Sequence, residues 1–309
     1  MRRFACLAAM TLALAASPAV AQTDPATPDP LTPVPVATPE VRDVDPALWV
    51  VRDADTTIYM FGTIHLLRPG LGWFDDGIKK AFDASDTLVL EIVDPEPAEV
   101  MQIMAELAVD KSGKTMRQKL PPEEVPAYEA ALAKLSLPAE ALDPLDGWAV
   151  ALNLYMSGIV ASGYDPNSGA ETVLKAAAAA RKLPVVPLET MRSQMEIFDA
   201  LPTDVQVSYV TETVKGMDQL APQTDQLVES WASADPDAVA AIMNEGFEQI
   251  DLVEPLLTRR NANWAHWINN RMKKSGTVFM AVGAGHLAGT VSVQQLLTAY
   301  GLESERVVY

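Results

Sequence analysis

A single cysteine is all that the 309 residues carry, and that one, Cys6, lies in the N-terminal apolar stretch. Residues 1–21 set two arginines before a short apolar core that closes on Ala19-Val20-Ala21. The pattern reads as a secretory signal peptide, because the apolar run falls short of the roughly 18 residues that a membrane span needs. The expected mature chain begins at Gln22 and is exported, periplasmic or secreted, with no transmembrane segment left after the leader is removed. It then has no thiol at all, which excludes disulfides, a cysteine nucleophile and thiolate metal ligands.

Positive charge is scarce too. Lys plus Arg number 23 against 41 Asp plus Glu, a net charge of −18, and the leader would take Arg2 and Arg3 with it. A surface this acidic excludes nucleic acid as a partner, since neutralising phosphates requires clustered cations. No Gly-x-Ser-x-Gly elbow is present, and GAGHLAG (283–289) lacks the Lys-Ser/Thr ending of a phosphate loop. Histidine is limited to His65, His266 and His286.

Two of those histidines follow the same grammar. IYMFGTIH (58–65) and TVFMAVGAGH (277–286) are apolar runs that close on Gly-x-x-His. Such runs, rich in β-formers and stopped by glycine, predict strands covered on both faces. TLVLEI (87–92) and LPVVPLE (183–189) end instead on the carboxylates Glu91 and Glu189. In open α/β sheets ligands collect beyond the carboxyl ends of the strands. If the four runs share one sheet, His65, Glu91, Glu189 and His286 converge on one crevice. Two imidazoles with two carboxylates suit a divalent transition metal, and Mn, Co or Zn is expected there. His266, between Trp264 and Trp267, has no partner at motif spacing and reads as a packing or surface histidine.

Residues 22–46 hold seven prolines, which reads as an extended linker unable to pair as a strand. The folded body should span 47–309. Apolar spacings of three and four predict helices through 95–182 and 190–274, with stripes such as Met101, Met104, Leu107 and Ala108, or Trp148, Leu152, Tyr155, Met156 and Ile159. Strands cluster toward the two ends. The expected fold is therefore α/β, with an α+β layout: a central mixed sheet built from both ends of the chain and a large helical cap inserted between.

Five ordered stretches, YMFGTIHLL, SDTLVLEI, LPVVPLETMRSQMEIF, RRNANWAHWI and FMAVGAGHLAG, resemble the TraB/GumN family, which includes the Tiki metalloproteases and is more distantly related to erythromycin esterases and ChaN-like proteins. The resemblance implies functional roles for Gly62 and His65, Glu91, Glu189, Arg260 with Asn261, and Gly283 with His286. His65 and His286 would be metal ligands, completed by Glu91 or Glu189, while the other glutamate accepts a proton from metal-bound water. Arg260 would stabilise an oxyanion. The expected activity is metal-dependent hydrolysis of a peptide or small ester, most like a Tiki-type peptidase. The alternative is a non-enzymatic periplasmic binding protein for a peptide, a metal or an iron-porphyrin.

Overall fold

The computed structural model describes residues 41–248 and 253–309, so the leader and the linker up to residue 40 lie outside the described residues. The chain begins with β1 (Arg42–Asp43), β2 (Leu48–Arg52), β3 (Thr56–Thr63), β4 (Leu71–Gly72), α1 (Asp76–Asp83) and β5 (Thr87–Leu90). A helical stretch follows: α2 (Pro97–Leu107), α3 (Met116–Lys119), α4 (Val125–Lys134), α5 (Gly147–Ala161) and α6 (Ala170–Arg181). The short β6 (Val185–Pro187) separates these from α7 (Met191–Asp199), α8 (Thr203–Gly216), α9 (Leu220–Ala232), α10 (Pro236–Glu248) and α11 (Arg259–Arg271). β7 (Gly276–Gly283), α12 (Val293–Leu297) and β8 (Glu305–Arg306) complete the order.

Six strands form one mixed sheet in the order β6-β5-β7-β3-β2-β8. β6, β5, β7 and β3 are mutually parallel, while β2 runs antiparallel to both β3 and β8. The expected α/β architecture is what the structure has, with β7 arriving from the far end of the chain to lie between β5 and β3. Register is fixed by two-residue alternation, because successive side chains leave a strand on opposite faces. Ile58, Met60, Val278, Met280 and Val282 point to one face and pack against Trp264, Ile268, Val293 and Leu297 of α11 and α12. Phe61, Leu88, Leu90, Phe279 and Ala281 point to the other, under the helical stretch.

Three sequence expectations are corrected. The end of the Pro-rich linker does pair: Arg42–Asp43 lies parallel to Leu71–Gly72, and Val44 is buried. Between Pro39 and Pro46 the chain has every amide hydrogen, so nothing prevents a short ladder. In α2 the buried positions are Ile103, Leu107 and the following Ala108, whereas Met101 is 67% exposed, so the true stripe is rotated from the expected one. β6 is not a covered strand but the sheet edge, with Val186 and Pro187 exposed. Proline favours such an edge because it has no amide to give to a further neighbour.

An aromatic cluster packs against one face of the sheet. Phe279 is fully buried, with ring centroids 5.9 Å from Phe61 and 5.6 Å from Phe82. Phe279→Ala is expected to lower the unfolding free energy by about 3–5 kcal/mol, the range for emptying a buried phenylalanine site, as measured by chemical denaturation.

Candidate functional site

The parallel strands deliver their terminal residues to one end of the sheet. Glu91 immediately follows β5, Glu189 lies two residues beyond β6, and His286 sits in a 3-10 turn (Ala284–Leu287) after β7. From beneath, α11 presents Arg260, Asn261 and Trp264 to the same place, entered through a π-helical turn (Glu254–Thr258) of the kind that is frequent at functional sites. The sequence-predicted residues Glu91, Glu189, Arg260, Asn261 and His286 are therefore brought together.

Arg260 is the hub. Its Nη2 donates to Glu91 Oε2 at 2.7 Å, and its Nε donates to both oxygens of Glu189 at 3.0 and 2.9 Å. Nη1 donates to the Leu256 carbonyl at 3.1 Å and lies 2.9 Å from His286 Nε2. Its guanidinium carbon stands 4.7 Å above the Trp264 ring, and the Trp264 indole donates to Glu189 Oε1 at 2.9 Å. Gln194 of α7 donates to both glutamates, and the Gly283 amide donates to Glu91 Oε1 at 2.7 Å.

The tautomer of His286 follows from its neighbours. The Asn261 amide nitrogen donates to the Val291 carbonyl at 2.8 Å, which turns its oxygen toward His286 Nδ1 at 2.5 Å. Nδ1 must then carry the hydrogen, leaving Nε2 to accept from Arg260. Burial, reinforced by the Arg260 charge and by His65, pushes His286 down from 6.5 to about 3 against the opposing pull of Glu91, so the ring is neutral. For Glu91, burial acts to raise the carboxyl, but Arg260 first, then His286 and His65, outweigh it and hold it at about 2.

His65 lies within electrostatic reach of this network, since it contributes to the shifts of both Glu91 and His286. Its Nδ1 lies 2.7 Å from Glu171 Oε1, and Thr63 Oγ1 donates to the same oxygen. Burial acts to raise Glu171, and the His65 charge with the His65 and Thr63 hydrogen bonds lowers it overall. Glu171 was not among the expected residues, and neither was Gln194 or Trp264. Glu171 opens an alanine-rich helix, so its sequence surroundings signal only a favourable acid in a first turn. Trp264 sat in plain view beside Arg260 in RRNANWAHWI. His266 is exposed and bonded to Asn270, as a surface histidine.

The geometry bears directly on the expected metal. Both nitrogens of His286 are engaged, and the Arg260 cation lies between that ring and the two glutamates. Among the described residues no three or more His, Asp or Glu side chains are grouped to hold an ion. His65, Glu91, Glu189 and His286, as arranged here, do not make a coordination shell, because a dication would sit against a fixed guanidinium. Exposure falls steadily inward, from 20% for His65 and 18% for Glu171 through 14% for Glu189 and 9% for Glu91 to 3% for Arg260 and 0% for His286.

Two outcomes follow. Arg260→Met strands one buried carboxylate, Glu91, and one part-buried, Glu189, and should cost about 3–5 kcal/mol of stability in urea denaturation. The unfolded chain takes up the His286 proton near 6.5 and the native protein only near 3, so stability is full above 6.5 and declines as pH falls toward 3; Glu91 adds to the loss from 4.5 down to about 2. The slope is about 1.4 kcal/mol per pH unit for each group. Urea midpoints measured from pH 7 downward should fall accordingly, with the upper part of the fall absent in His286→Gln.

Searches among curated proteins and among solved structures found no match. A family profile described as TraB/PrgY/gumN matches residues 47–306, which takes in every strand of the large sheet and every residue of the network. The chain belongs to the TraB/PrgY/gumN family.

Proposed function

We propose that the protein is an exported hydrolase that adds water to the carbonyl of a peptide or small ester, at the crevice beyond the ends of β3, β5, β6 and β7. One observation carries the reading. His65 is the part-exposed imidazole of a crevice whose other histidine is sealed, and it stands beside a buried frame of charges that is already paired. Part exposure lets a water and a carbonyl approach the ring, while paired charges hold a fixed field without reorganising during reaction. Glu91 and Glu189 act in this reading as the anionic seat of Arg260, and Asn261 as the group that orients His286. Export rests on the leader-like residues 1–21 alone.

A divalent ion, Mn, Co or Zn, has one observation in its favour: Glu171 Oε2 is buried with no hydrogen-bond partner among the described residues, and a cation beside His65 would satisfy it. The chemistry such an ion supplies is activation of water at neutral pH. The remaining predicted ligands would have to be released by Arg260 first.

Purified protein beginning at Gln22 should be incubated with peptide and ester panels, with and without a chelator, and with Mn, Co or Zn restored. Turnover that falls by about 100-fold or more in His65→Ala is expected, the usual scale for loss of a general base. Activity abolished by the chelator and recovered with one ion assigns the metal. Tight retention of a peptide, a metal or an iron-porphyrin with no turnover sinks the hydrolase and leaves a carrier.

A further inference from the structure

We propose that Glu171 is a positioning residue for His65, fixing the imidazole with its hydrogen on Nδ1. The inference rests on the hydrolase reading for its chemical purpose, but its structural content stands independently.

Three features bring Glu171 to His65 and hold it there. The Ala170 amide, at the first residue of α6, donates to the Ile64 carbonyl at 3.0 Å, tying the helix start to the residue before His65. Gly169 lies against the His65 backbone so closely that a Cβ there would be 2.0 Å from the His65 carbonyl oxygen, an approach that no other residue permits. On the far side the Asp165 amide donates to the Leu67 carbonyl at 3.0 Å, and the two residues form an isolated antiparallel bridge. The chain from Asp165 to Ala170 is thus laid along the chain from Ile64 to Leu67, and Glu171 follows at the next position.

The carboxylate reached in this way has a defined orientation. Thr63, the last residue of β3, donates its hydroxyl to Oε1, and Oε1 also meets His65 Nδ1. A carboxylate is an acceptor only, so the hydrogen between Glu171 and a neutral His65 ring belongs to Nδ1. The lone pair is then on Nε2, on the opposite edge of the ring. This is the logic by which a buried acid holds a catalytic imidazole in its working tautomer.

The test uses ring 15N chemical shifts of His65 at ~pH 9, where histidine is neutral, with chelator present, on the full mature chain. Wild type is expected to show a protonated Nδ1 and an unprotonated Nε2; a hydrogen on Nε2 overturns the proposal whether or not any variant folds. In Glu171→Ala the Nδ1 preference should be lost, and unchanged shifts would equally overturn it. Gly169→Ala keeps the carboxylate but pushes the segment away, and it should give the same loss. With a substrate from the panel, Glu171→Ala should lower kcat by about 10- to 100-fold, the scale for removing the partner of a functional imidazole, with KM nearly unchanged. A rise in KM alone counts against positioning. Should wild type turn over nothing, the hydrolase reading fails, while the 15N shifts still decide the pairing.

Discussion

One buried guanidinium holds the working end of this protein together. Arg260 joins β5 through Glu91, the segment after β6 through Glu189, the segment after β7 through His286, and the π-helical turn before its own helix through the Leu256 carbonyl. Each of these elements leaves a polar group at the end of the sheet that would be costly to bury alone. A planar cation with several donors in fixed directions can satisfy them at once, whereas a lysine, as a point charge on a flexible stem, could not. The sheet ends are therefore coupled to α11, and α11 is in turn pinned by its apolar face beneath β3 and β7.

That arrangement divides the labour at the crevice. The inner group of Glu91, Arg260, Asn261 and His286 is buried, with Glu189 part-buried at its rim, and its members are cross-bonded, so it behaves as a rigid electrostatic frame. The outer pair of His65 and Glu171 is part-exposed and stands where the helical stretch meets the sheet. The two Gly-x-x-His turns look alike in sequence but serve opposite ends of this division. What separates them is the neighbour that reaches each ring: an arginine from below for His286, and a glutamate from the cap for His65.

Much of this was legible in the chain. The strands of 58–65, 87–92 and 277–286 announce themselves as continuous apolar runs with a glycine or acid at the close, and the two-ended assembly of the sheet follows from where they fall. Convergence of Glu91, Glu189 and His286 was legible for the same reason, since strand ends share one edge of a parallel sheet, whereas Arg260 and Asn261, on a helix, entered through the family resemblance alone. What the residues could not disclose is who bonds to whom. A carboxylate beside a histidine in a strand-end motif reads equally well as a ligand or as an arginine's counter-ion, and only the seating of α11 decides. Glu171 was hidden because its link to His65 depends on the close passage at Gly169, a contact between segments with no shared periodicity. The rotation of the α2 stripe has a similar origin: methionine and alanine at neighbouring spacings do not distinguish one helical face from the next.

The outermost strands of the large sheet carry a further consequence. β6 has three residues with Pro184 just before it and Pro187 at its end, and β8 has two. A chain with a long, open strand edge would offer unpaired backbone to any neighbouring molecule, and crowded copies would stack edge to edge. Terminating the ladder on one flank with a residue that has no amide hydrogen, and on the other after a single short rung, leaves too little backbone for that kind of self-templating.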